Sequence, residues 1–135
     1  MMFDELVDKI KCSSIDEKKI IVIEAVREMG KDAILSGMMT ELVMIGAKLG
    51  IAGRTLSELD KQFIDYVFST IGSGTDEGLY KIITGPLQSG DLDVLSIMKK
   101  LGKKTPIPFI KYVLCFAYVD GIPDKEVYER LKQLM

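Results

Sequence analysis

The chain has 135 residues, of which 47% are apolar and 28% charged, with a formal charge of −2 at pH 7. One domain of that length buries well over half of its unfolded surface without disulfides, and the composition is globular rather than disordered. Lys and Arg alternate with Asp and Glu, and the lack of any basic block argues against a nucleic-acid binder.

The absence of histidine removes the commonest general base and zinc ligand. The two cysteines, Cys12 and Cys115, are far apart and form no C-x-x-C motif. They read as reduced thiols of a cytoplasmic protein, with a disulfide as the alternative. No serine or cysteine stands in a nucleophile context, so no enzymatic reaction is indicated. The opening "MMFDELVDKIK" is amphipathic and charged, unlike a secretory leader.

Taken in chain order, the pattern is helical. A first helix over Phe3–Lys11 places Phe3, Leu6, Val7 and Ile10 on one face. Ser14 and Glu17 form a capping box ahead of a second helix that closes at Gly30, with Ile20, Ile23 and Val26 at helical spacing. The third, Ala33–Ala52, is as long as a membrane span, but Glu41 and Lys48 interrupt it. It reads instead as a central helix, with Gly37, Gly46 and Gly50 admitting close neighbours. That apolar surface suits either the interior of one chain or a homo-oligomer.

A fourth helix runs over Ser57–Ile71 with Phe63, Ile64, Val67, Phe68 and Ile71 inward. "GSGTDEG" breaks the chain, and Thr75 caps a fifth helix to Ile83. That glycine-rich stretch lacks the Gly-Lys-Ser/Thr ending of a phosphate loop, and no strand precedes it. A sixth helix spans Asp91–Leu101, and a seventh starts with Thr105 as cap and Pro106 at its first position. It ends near Val119, and an eighth fills the C-terminus. No stretch alternates with period two between hairpin turns, which predicts an all-α bundle of seven to eight helices.

An internal repeat is visible. "MIGAKLGIAGRTLSELDKQFIDYVF" (Met44–Phe68) and "KYVLCFAYVDGIPDKEVYERLKQLM" (Lys111–Met135) each carry an apolar helix ending at a glycine, Gly53 or Gly121. An apolar residue follows (Leu56, Ile122), then four residues later an acid (Asp60, Glu126) opening an amphipathic helix. The helix pairs, about 42–71 and 106–135, predict pseudo-two-fold symmetry within a single domain.

This pattern resembles the TerB-like family, named for a tellurite-resistance protein, whose members carry an A-D-G-like turn followed by an acid. "YVDGIPDKE" matches well, whereas "GIAGRTLSELD" has Ala52 where Asp120 supplies the acid in the second copy. The resemblance covers Leu42–Met135. It implies an all-helical, non-enzymatic module acting through protein partners in stress-response or signalling assemblies, with acids that hold a divalent metal.

The residues themselves leave the acidic turn open to more than one use. Asp120 stands at the negative end of a helix and needs compensation, which backbone N–H groups of a turn supply if Gly121 adopts the left-handed conformation. Alternatively, Asp120, Asp124 and Glu126, joined by Glu58 and Asp60 from the first copy, offer oxygen ligands to calcium or magnesium. An EF-hand is excluded, because Tyr118 and Phe116 stand where its ligands would be. A third reading is a small-molecule or lipid carrier lined by the Met38–Met44 region, against which methionines more often fill core gaps.

Overall fold

The computed structural model describes residues 2–72, 74, 76–102 and 104–135. Among the described residues there are nine helices and no strand: α1 (Phe3–Lys11), α2 (Ile15–Lys31), α3 (Ala33–Ser36), α4 (Met39–Ile51), α5 (Glu58–Thr70), α6 (Glu77–Thr84), α7 (Ser89–Lys99), α8 (Ile107–Ala117) and α9 (Lys125–Gln133). The expected all-α bundle is therefore observed. The additional helix arises because the long apolar segment is split. The Asp32 carboxylate accepts from the N–H groups of Ile34 and Leu35, at 2.9 and 3.1 Å, starting the four-residue α3. The chain then breaks at Gly37 and Met38 before α4. Gly37 is exposed at this break and takes no part in helix contact.

Local chemistry accounts for the other helix starts. The Ser14–Glu17 capping box has both of its bonds, at 3.0 and 3.1 Å. The Thr75 cap falls outside the described residues; Asp76 caps α6, accepting from Leu79 N–H at 2.8 Å. Pro106 is itself the N-cap of α8, so the helix starts one residue later than expected and Thr105 is not its cap; Pro108 sits in the first turn, where a missing N–H costs nothing. Gly30 lies inside the last turn of α2, which runs on to Lys31 with Asp32 as its C-cap.

The core centres on α8. All its residues except Ile107, Pro108 and Lys111 are buried, and it packs against α1, α2, α4 and α5. Its tightest neighbour is α4. A Cβ on Gly46 would lie 2.6 Å from the Tyr112 ring, and one on Gly50 would lie 2.5 Å from Phe116 Cβ and 2.7 Å from the Val113 carbonyl oxygen. The two glycines thus let the helices approach almost backbone to backbone. Tyr112, fully buried, donates its hydroxyl to the Val43 carbonyl at 2.7 Å and so fixes the register of the pair. No described helix is long and apolar enough to cross a membrane.

Since the obstacle at Gly50 includes backbone, Gly50→Ala requires α8 to move. It is expected to lower stability by about 1–3 kcal/mol in urea titrations. A Cβ added at Gly30 would meet nothing within 4 Å. There the same change is expected to raise stability by up to ~1 kcal/mol through helix propensity alone.

One core position carries a charge. The buried stripe of α2 is Lys18, Val22, Ala25 and Met29, whereas Ile20 is exposed and Ile23 and Val26 are half-buried. Lys18 lays its hydrocarbon stem along the core and donates its ammonium to the Ser13 carbonyl, just beyond the C-terminus of α1. Burial depresses the Lys18 pKa, with Cys115, Glu17 and Cys12 partly opposing it. Both cysteines are free thiols, and burial pushes that of Cys115 up to about 12.

Lys18 holds its proton less tightly folded than unfolded. Between its folded pKa and the unfolded value of about 10.4, the unfolded chain binds more protons and stability rises with pH. Relative to Lys18→Met, which has no such proton, the wild type is expected to gain stability as pH is raised through that window. Paired urea titrations across the alkaline range measure the difference.

Candidate functional site

The two hinge turns, 52–57 between α4 and α5 and 118–124 between α8 and α9, lie against each other. Gly53 has φ +80°, a left-handed turn that only glycine adopts without strain. A Cβ there would stand 3.5 Å from Asp124 Oδ2 on the other hinge. Reciprocally, the Arg54 side chain lies over Gly121, whose Cβ would meet Arg54 Cδ at 2.8 Å and Nε at 3.1 Å. Gly121 is not in the left-handed region, contrary to the expectation from its place after Asp120. Its missing side chain makes room for a guanidinium instead.

Arg54 joins three parts of the fold. Its Nη1 donates to both carboxylate oxygens of Asp60 at 2.7 Å, and its Nη2 to the Phe116 carbonyl at 2.6 Å. The last of these is near the C-terminus of α8, where a positive charge meets the negative end of the helix dipole. Asp60 is only 2% exposed. Its Oδ2 also accepts from the Ser57 N–H and hydroxyl, each at 3.0 Å, while Ser57 Oγ accepts from Asp60 N–H at 3.2 Å. This second capping box anchors the carboxylate to the start of α5 and presents it to Arg54. Arg54 Nε is buried without an acceptor among the described residues.

The other acids of the expected metal set are dispersed by role. Asp124 Oδ1 caps α9, accepting from Glu126 and Val127 N–H at 2.9 and 3.2 Å. The turn-capping role considered for Asp120 thus belongs to Asp124, and Asp120 is exposed. Glu126 is exposed and pairs with Arg130 at 3.2 Å. Glu58 is exposed in the first turn of α5. Among the described residues no three Asp, Glu or Cys side chains are gathered as a metal cage. Met38, Met39 and Met44 pack half-buried against the core.

Beside the junction lies an open groove of about 720 Å³, lined by hinge residues Arg54, Thr55 and Leu56, by Glu58, Lys61 and Asp65 of α5, and by Tyr80 and Thr84 of α6. The Tyr80 hydroxyl donates to Asp65 and ties the two walls together. Both charge signs, an aromatic ring and apolar surface meet there, a mixture suited to a polypeptide surface. No protein-family model matches the chain, nor does any characterised protein or solved structure.

Sequence reasoning found Asp60 but not its partner. The available signal was Ser57-x-x-Asp60 as a second capping box, with an arginine just after the turn glycine. Removing one member of a buried pair leaves the other uncompensated, so Arg54→Ala is expected to cost about 3–5 kcal/mol. In a urea double-mutant cycle of Arg54→Met, Asp60→Leu and the pair, the pair is expected to be more stable than either single variant, recovering more than half of the Arg54→Met loss.

Proposed function

We propose that the chain is a non-enzymatic helical module of the TerB-like type that binds a protein partner through the groove beside its hinge junction. The observation that carries this reading is a division of labour. Asp60 and Asp124 serve the junction itself, while Glu58, Lys61, Asp65, Tyr80 and Thr84 line an open surface on an ordered frame. Two helices and a locked turn present these side chains without a backbone ordering cost on binding, which helps a modest groove achieve useful affinity. The resemblance to TerB-like modules in stress-response or signalling assemblies favours the same reading. A divalent-cation reading has less support, because the most buried of the acids already holds a guanidinium.

Thr84→Arg, which places a long cationic side chain into the groove, is expected to weaken partner capture at least tenfold. Ser96→Arg makes the same charge change on an exposed position of α7 outside the groove lining, and is expected to leave capture unchanged. Quantitative pull-down from native lysate with the two variants measures the contrast. Equal loss, or no loss, in both variants rejects the groove.

A further inference from the structure

Resting on the reading of the groove as a protein-binding surface, we propose that its occupant is helix α9 of a second copy of this chain, laid antiparallel along α5. What selects that occupant is charge order. On the exposed face of α5 that lines the groove, Glu58, Lys61 and Asp65 alternate in sign at steps of three and four residues. On a helix such steps align side chains in one stripe. The exposed face of α9 carries Lys125, Glu129 and Lys132, the opposite signs at steps of four and three. Set antiparallel, the stripes meet in a single register as Glu58–Lys132, Lys61–Glu129 and Asp65–Lys125. No other described helix of the chain carries a cation, an acid and a cation at those steps, read in either direction.

Both stripes are open to such a contact. Among the described residues, Glu58, Lys61, Lys125, Glu129 and Lys132 are in no ion pair within the chain. Asp65 accepts the Tyr80 hydroxyl, and a carboxylate has acceptor sites for a lysine besides. The Glu126–Arg130 pair occupies a different stripe of α9 and stays within its helix. Tyr80 and Thr84, one turn apart on α6, supply the second wall that helix-in-groove recognition uses. Each chain carries both stripes, so a two-fold dimer makes the contact twice.

The test is sedimentation velocity of the whole chain, from micromolar to near-millimolar concentration, at low and at high salt. The wild type is expected to self-associate, and to dissociate as salt is raised. Lys61→Glu sets an acid against Glu129, and Glu129→Lys sets a lysine against Lys61. Each is expected to weaken self-association at least tenfold, because like charges then face each other. Both positions are exposed, so circular dichroism and Tm are expected to stay at wild-type values. Mixing the two variants is expected to restore association, since opposite charges again meet at both contacts; the double variant is expected to regain it alone. A mixture no more associated than its components overturns the proposal, and so does a wild type that stays monomeric throughout. If that monomeric wild type still loses lysate capture through Thr84→Arg, the groove stands and its occupant is another protein. Absence of both effects rejects groove and occupant together.

Discussion

A carboxylate that is 2% exposed must have its oxygens supplied with donors, and at Asp60 the rest of the junction is arranged around that requirement. The Ser57 N–H and hydroxyl supply two bonds from the start of the same helix, and Arg54 supplies two more. Placing the guanidinium there imposes further conditions. The chain must turn back sharply, which Gly53 allows, and the opposite hinge must present no Cβ, which Gly121 satisfies. Three features that look independent along the sequence, a glycine, an arginine and a second glycine, thus answer one electrostatic need.

The same interaction couples the junction to the core. Through Phe116 the guanidinium reaches α8, the most enclosed helix, whose contact with α4 depends on Gly46 and Gly50. The separation of α4 and α8 and the hinge geometry are therefore not independent. A methyl group at Gly50, which abuts Phe116 itself, would displace the Phe116 carbonyl along with the helix and loosen its bond to Arg54. Close-packed interiors transmit such displacements rather than absorbing them.

Much of this fold was legible because helical periodicity and capping chemistry are local. The Ser14–Glu17 box, the stripe of α1 and the inward face of α5 follow from spacing alone. What was not legible depended on tertiary partners. The apolar periodicity of α2 suggested Ile20, Ile23 and Val26, yet the buried stripe runs through Lys18, because a long side chain can bury its stem and still reach the Ser13 carbonyl. The break at Gly37 and Met38 was hidden within a continuous apolar run, where Asp32 acts as a cap only once the preceding helix has ended. At the junction, the acids could be read as ligands because a sequence displays charges without their partners. Arg54 lies six residues from Asp60 and 62 from Phe116, and only folding brings the three together.

The repeat then acquires a physical asymmetry. In the first copy the acid opening the second helix, Asp60, is buried and neutralised by an arginine from its own hinge. In the second the corresponding Glu126 is exposed and pairs with Arg130, one turn along the same helix. Asp120 is exposed on that hinge too, whereas Ala52 stands in its place on the first. One hinge has turned its acidic chemistry inward and become a structural lock. The other leaves Asp120 and Glu126 in solvent while Asp124 caps α9, and the exposed Glu126–Arg130 pair adds little to stability. Of two turns of similar sequence, the one that lacks the turn aspartate has become the lock, and the open groove lies beside that same turn.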